Sequence, residues 1–198
     1  LHVSYHHGDL RNGLLSAALR LLRDEGIEAV SLRAVARQAG VSHAAPYHHF
    51  ADKAALMEAL AQRGFEDLAV ALRTGMAQAG PDSLHRFQAA GLAYGEFAFA
   101  NPALFRLLGR SDLRQGASVA AAAAEAYQVL EDGVVACQRD GSMQSGDPAP
   151  LANTAWAAVH GAVLLVLDGL LEAPSARARH QLLSQVTTVL GAGFVPRQ

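Results

Sequence analysis

SLRAVARQAGVSHAAPYHHFADK, residues Ser31–Lys53, is the stretch that decides the fold of this 198-residue chain. Leu32, Val35, Ala36 and Ala39 recur at i, i+3, i+4 and i+7, the spacing that gathers side chains on one face of a helix. Ser31 stands where an N-cap oxygen is needed, and Gly40 is the residue best able to leave the helix through a left-handed turn. Val41 is apolar enough to enter a core, and Ser42 offers a second N-cap oxygen. The run His43–His49 predicts a second, short helix, too polar to be core by itself. Asp52 can cap a third, which carries Leu56, Met57 and Leu60 inward. Two short helices joined by a glycine-containing turn make a helix-turn-helix, the motif whose second helix enters the DNA major groove.

The outward residues sharpen that reading. Ser42, His43, Tyr47, His48 and His49 all carry hydrogen-bonding groups, with little apolar surface to bury. Lys53 sits in the first turn of a helix, where the macrodipole disfavours a cation by about 0.3–1 kcal/mol. It is also the only lysine, against fifteen arginines. A residue that breaks a local rule without a packing gain is a candidate functional residue, although a solvated surface charge would look the same. A phosphate lying at that helix start would be held by backbone N–H groups and the ammonium together. Pro46 costs one backbone hydrogen bond in so short a helix and stiffens it, so it is read as a shape residue.

The runs YHHGDLRNGLLSAALRLLRDEG and SLRAVARQAGVSHAAPYHHFADKAAL together resemble the N-terminal DNA-binding domain of TetR-family transcriptional regulators, from Tyr5 to about Leu60. The Gly40-Val41-Ser42 turn, the Pro46-Tyr47 pair, Phe50 and the Asp52-Lys53 helix start carry the resemblance. Further on, AWAAVHGAVLL resembles the Trp-His-Gly signature of one C-terminal domain type in that family. The resemblance implies an all-α protein: a three-helix DNA-binding domain over 1–54, then a C-terminal regulatory and dimerisation domain over 55–198. It also implies a double-stranded DNA operator, a homodimer and a small-molecule effector of unknown identity, with repression the commoner outcome. Tyr47, His48 or His49, and Lys53 are expected on phosphates. His43 and Ala44 are expected at base edges beside the Ser42 turn, with Ser31 and Arg33 in support from the preceding helix.

Composition sets the outer bounds. Hydrophobic residues make up 51%, with alanine and leucine far ahead of the β-branched residues, which favours helix over sheet. Net charge is −2, spread as +1 over residues 1–54 and −3 over the rest, too mild an asymmetry to argue for nucleic-acid binding alone. A single cysteine, Cys137, excludes an internal disulfide framework and a cysteine-rich zinc site. No basic-then-apolar signal segment opens the sequence. Its most apolar run, from Ala155 to Leu171, is interrupted by His160 and Asp168 and falls short of the ~20 residues a membrane span needs. A cytoplasmic protein without a membrane partner is expected.

In chain order, His2, Tyr5, His6 and His7 form an arm before a first helix that Asp9 can cap, with a stripe of Leu10, Leu14, Ala17, Ala18, Leu21 and Leu22 ending at Gly26. From Asp52 to about Ala79 one helical pattern runs on, physically joining the two domains. Leu84, Phe87, Gly91, Tyr94 and Ala98 mark the next helix, which Asn101-Pro102 breaks. Ala103–Leu108 is a short helix, Arg110–Gly116 a polar loop, and Val119 to Cys137 lie on a long helix. GSMQSGDPAP, residues 141–150, reads as a mobile linker. In Leu151–Leu171 apolar residues cover nearly the whole circumference, which demands burial on every side. A second subunit is the simplest cover, with Val163, Leu164 and Leu167 there and Val186, Val189 and Leu190 on the last helix as candidate interface residues. Two helices from each of two subunits make a four-helix interface, and a two-fold dimer suits a palindrome.

An enzyme is not expected. Cys137, Ser118 and Ser142 lack the strand-turn-helix setting or neighbouring base of an activated nucleophile. No Gly-rich phosphate loop or HExxH is present, and no cofactor is implied. His43, His48 and His49 are spaced i, i+5 and i+6, which scatters them around a short helix, so no metal is expected. The resemblance places an apolar effector among Phe87, Tyr94, Phe97, Phe105, Tyr127 and Trp156, with His160 as a polar handle. The plainer account is that each of these fills the core, and His160, four residues from Trp156, is most simply a hydrogen-bonded core histidine. The competing function is a helical DNA-binding dimer with no small-molecule ligand. Against it stands the size of the remainder, about 140 residues, more than dimerisation requires.

Overall fold

Among the residues that the computed structural model describes, 7–194, there are eight α-helices and three short 3-10 turns, and no strand. They form two compact units, Leu1–Phe65 with Asn101–Ala123, and Glu66–Ala100 with Ala124–Gln198.

In the first unit, α1 (His7–Glu25) buries Leu14, Leu15, Ala17, Ala18, Leu21 and Leu22. Gly26, at φ 86°, then turns the chain. Because α1 already begins at His7, Asp9 lies within its first turn and not ahead of it. The expected arm of His2, Tyr5 and His6 lies outside the described residues. A 3-10 turn (Ile27–Ala29) leads to α2 (Leu32–Ala39), where the Ser31 hydroxyl accepts the Ala34 N–H at 3.2 Å as expected of an N-cap. Gly40 leaves α2 at φ 69°, and the Val41 N–H reaches back to the Ala36 carbonyl at 3.0 Å. Leu32, Ala34, Val35 and Ala36 are buried, and α2 packs on α1.

After a second 3-10 turn (Ala45–His48), α3 runs from Lys53 to Gln78, capped by Asp52, whose Oδ1 accepts the Ala55 N–H at 2.8 Å. α5 (Pro102–Leu108) belongs to this unit, packed on α1 and against α3 at Gly64. A Cβ at Gly64 would sit 2.9 Å from both Leu104 Cδ1 and Leu108 Cδ2. The third 3-10 turn (Leu113–Gln115), in a segment read as polar loop, buries Leu113. It leads into α6 (Ala117–Asp140), whose opening turns also belong here. This compact unit extends past the residues 1–54 expected for the DNA-binding domain, since α5 buries Leu104, Phe105, Leu107 and Leu108 and packs on α1 and on α3.

The second unit holds the remainder of α3 and α6 with α4 (Ser83–Ala100), α7 (Pro148–Leu167) and α8 (Ala176–Phe194). α4, α7 and α8 pack mutually. α4 approaches α8 closely because Gly91 and Gly95 carry no Cβ: Thr187 Cγ2 would lie 2.6 Å from one at Gly91, and Leu183 presses on Gly95. Phe87, Val134, Cys137, Met143, Leu151, Ala152, Ala155 and Phe194 form one buried cluster.

Two expectations about this unit are corrected. Residues 141–147 are not a loose linker: Met143 is 1% exposed, the Gln144 N–H donates to the Phe194 carbonyl at 2.9 Å, and Gln138 Nε2 donates to the Gln144 and Gly146 carbonyls. An apolar residue amid Gly, Ser and Pro had a core site to fill. Second, α7 starts at Pro148 and stops at Leu167, not Leu171, because Gly169 turns at φ 71° and the Leu170 and Leu171 N–H groups fold back onto the Leu165 carbonyl at 2.8 and 3.0 Å. By length and composition α7 could cross a membrane. A third of its apolar window is buried, Ala152, Ala155, Val159, Ala162 and Val163 included, and α7 packs on α4 and α8.

Candidate nucleic-acid interface and effector cluster

The segment after Gly40 is not the α-helix expected over His43–His49. An α-helical turn would require a Pro46 N–H to reach the Ser42 carbonyl, and proline has none. The Ala45 N–H takes that carbonyl instead at 3.1 Å, followed by Tyr47 N–H to Ala44 and His49 N–H to Pro46, at 3.1 and 3.0 Å. The result is a tighter 3-10 path. Ser42 therefore contributes its carbonyl, and no side-chain cap is made. Pro46 and Phe50 are buried and anchor the segment, which matches the shape role read for Pro46.

That anchoring decides what points out. Ser42, His43, Ala44 and His48 are exposed, Tyr47 is 52% exposed, and His49 is half-buried with its ring tilted 6.5 Å from that of Phe50. Lys53 is exposed at the first position of α3, and Arg33 is exposed on α2. Ser31 is half-buried and spends its oxygen on the cap. The segment thus shows a polar surface flanked by two exposed cations, Arg33 and Lys53, with a capped helix on each side. Sequence reasoning missed Arg11, whose guanidinium carbon lies 5.5 Å from the Phe50 ring centroid. No local pattern could have signalled a contact between elements so far apart in sequence.

In the second unit, four of the seven proposed effector residues meet. Tyr94 Oη lies 2.7 Å from His160 Nδ1, and Trp156 Nε1–H donates to Tyr94 Oη at 3.3 Å. Indole nitrogen only donates, so Tyr94 accepts from Trp156 and has its own proton to give His160 Nδ1. The Trp156 ring also meets Tyr127 edge-on at 6.1 Å, and the Tyr127 hydroxyl donates to Asn153 Oδ1 at 2.8 Å. Burial, then the nearby Glu131 and Asp147 carboxylates, raise the Tyr127 hydroxyl above its usual pKa. All four rings are half-buried. Phe87 instead belongs to the buried cluster, and Phe97 is half-buried on α4. Phe105 is buried on α5, which belongs to the first unit. Among the described residues, no group of three or more His, Cys, Asp or Glu could hold a metal ion.

The candidate interface residues separate by direction. Val163 is fully buried within its own chain, so it has no surface to offer a second copy. Leu164, Leu167, Val186 and Leu190 are half-buried, Leu190 against the buried cluster. Val189 is 71% exposed, and Leu165, which the sequence reading did not single out, is 44% exposed.

A capped helix, a left-handed glycine turn and a rigid exposed polar segment define a helix-turn-helix protein. The chain belongs to the TetR family of bacterial transcriptional regulators, and so is a DNA-binding transcription regulator. A family model described as bacterial regulatory proteins, tetR family, matches residues 14–60, and one described as tetracyclin repressor-like, C-terminal domain, matches residues 87–190. No curated protein matches the sequence. Among solved structures, a protein of unknown function from Rhodococcus sp. RHA1 is 32% identical, with a TM-score of 0.86 over 98% of this chain and 100% of that one. A TetR family transcription regulator from Marinobacter aquaeolei VT8 is similar at 19% identity and TM-score 0.70, covering 94% of this chain and 96% of its own. The fatty acid degradation regulator FadR from Bacillus halodurans shares the fold at 15% identity and TM-score 0.74, with 93% and 96% covered.

Proposed function

We propose that the protein is a repressor that binds a palindromic operator as a homodimer and is released by a small, largely apolar effector. The observation that carries the DNA half is the 3-10 segment, anchored by buried Pro46 and Phe50 and showing Ser42, His43, Ala44, Tyr47 and His48 outward. Its tight backbone and flanking caps fix the side chains before DNA arrives, which spares ordering entropy on binding. His43 and Ala44 read base edges, while Tyr47, His48 or His49, and Lys53 hold phosphates, with Ser31 and Arg33 supporting from α2. Contacts of the first kind specify sequence and those of the second fix register.

Dimerisation uses the outer faces of α7 and α8, where Leu165 and Val189 lack cover from their own chain. A two-fold pair then presents two recognition segments to successive major grooves, about 34–36 Å apart. The Tyr94–His160–Trp156–Tyr127 cluster receives the effector, an apolar surface with a few convergent polar groups. We assign this half to the Trp-His-Gly type of C-terminal domain on Trp156, His160 and Gly161.

Selection of bound fragments from a genomic library, followed by footprinting, tests the reading. It requires a protected site with two-fold symmetry. Protection without symmetry removes the dimer, and no enriched fragment removes the operator. Thermal shift against hydrophobic ligands tests the effector. Compounds that stabilise the protein but never alter operator affinity leave a DNA-binding dimer without a small-molecule switch.

A further inference from the structure

Arg11 stands outside every role so far assigned. It is exposed on α1, yet its guanidinium is held over the face of Phe50, 5.5 Å from the ring centroid. Phe50 is itself 3% exposed and is tied by its N–H to the Pro46 carbonyl at 2.9 Å, the same carbonyl that accepts from His49. The ring that positions Arg11 is thus one of the two anchors of the recognition segment. It is followed within three residues by Lys53.

We infer that Arg11 is a further phosphate-binding residue of the DNA interface, pre-positioned by Phe50 beside the recognition segment. This rests on the DNA-binding reading proposed above. A guanidinium stacked on an aromatic face keeps its N–H edges directed outward, and those edges match phosphate oxygens in a fixed fork. Carboxylates could compete for it. Asp52, two residues beyond Phe50 in sequence, has its Oδ1 engaged with the Ala55 N–H. No ion pair joins Arg11 to a described carboxylate. The same ring contact also explains why α1, which supplies no base-reading residue, bears a cation at this place.

The test needs no knowledge of the operator, because phosphate contacts are independent of sequence. Binding to a random-sequence DNA duplex is measured across a salt series for the unmodified protein, Arg11→Gln and Arg11→Lys, with melting temperature recorded for each. Each phosphate contact contributes about 0.9 to the slope of log affinity against log salt. Arg11→Gln is expected to lose about that much slope while melting like the parent. Arg11→Lys keeps the charge and is expected to keep the slope. An unchanged slope for Arg11→Gln overturns the inference and leaves the DNA-binding reading intact, whether or not the variant melts lower. Loss of slope in both variants also overturns it, since a lysine at the same place still carries the charge. If the unmodified protein shows no salt-dependent duplex binding, the DNA-binding reading falls and this inference with it.

Discussion

Leu165→Glu is the substitution that tests the proposed dimer most directly. Leu165 lies on α7, is 44% exposed in the single chain and is not among the buried core residues, so a glutamate there has solvent to reach in the monomer. Fully burying a leucine is worth about 1.5–3 kcal/mol, so covering this exposed share contributes about 1 kcal/mol. Two-fold symmetry counts it twice, for about 2 kcal/mol per dimer. Two unpaired carboxylates in an apolar interface add to the loss. The dimer dissociation constant should then rise by at least ~30-fold. Sedimentation velocity over a concentration series measures this directly, with thermal melting as the control for folding. Val163→Glu supplies the contrast: it buries a charge inside the subunit and should unfold it instead of yielding a folded monomer. A folded Leu165→Glu protein that dimerises as tightly as the parent refutes the assigned face. A parent that is monomeric at micromolar concentration refutes the dimer.

Three further outcomes are expected. Lys53→Ala should weaken binding to all DNA sequences and reduce the salt slope by about one unit, and an unchanged slope would take Lys53 out of the interface. Tyr94→Phe removes the hydroxyl shared by His160 and Trp156, which should cost about 1–3 kcal/mol in urea unfolding, nearer the lower end because the site is half-buried. It should also change which compounds stabilise the protein, and an unaltered ligand profile would argue against the effector cluster. At Gly95 an added Cβ would meet Leu183 Cδ2 at 2.8 Å and Cγ at 3.1 Å, with Cδ1 closer still, and Leu183 is fully buried. Overpacking costs about 1–3 kcal/mol against a helix-propensity gain of about 1, so Gly95→Ala should destabilise by about 1 kcal/mol. A Gly95→Ala variant as stable as the parent would contradict the close α4–α8 approach.

The sequence made legible whatever local chemistry controls. Ser31, Gly40 and Asp52 bound their helices as read, because caps and left-handed turns depend on a few neighbouring residues. The 3-10 path was harder: Pro46 announced a missing N–H, but whether the helix tolerates it or tightens depends on how Pro46 and Phe50 are buried. Direction on α7 was not legible at all. An apolar circumference gives Val163 and Leu165 the same standing, and only packing shows that one faces inward and the other out. The unit that holds Phe105 was not legible for a related reason, since an aromatic in an apolar helix carries no address for its unit. Met143 looked like linker because nothing local marks a single residue as core. The Tyr94–His160–Trp156–Tyr127 meeting drew on three helices, and of these contacts only the His160–Trp156 spacing could be read along the chain.

The proposed switch between effector and DNA would have to use helices shared by both units, and the described residues hold two of them. The sequence pattern singled out α3, which passes from the first unit to the second between Phe65 and Glu66. α6 does the same between Ala123 and Ala124. The composition at each crossing bears on how free energy would travel. α6 crosses within a run of alanines from Ala120 to Ala124, the residue with the strongest helix propensity, so bending there is disfavoured. α3 crosses beside Gly64, intrinsically the weaker point by about 1 kcal/mol relative to alanine. Yet the space a Gly64 side chain would occupy is filled by Leu104 and Leu108 of α5, which braces the helix where it could yield. Neither crossing is built as a soft hinge. An effector that binds one state 100-fold better supplies about 2.7 kcal/mol of coupling. Under the proposed switch, differential affinity of that size at the aromatic cluster is the free energy available to change DNA binding.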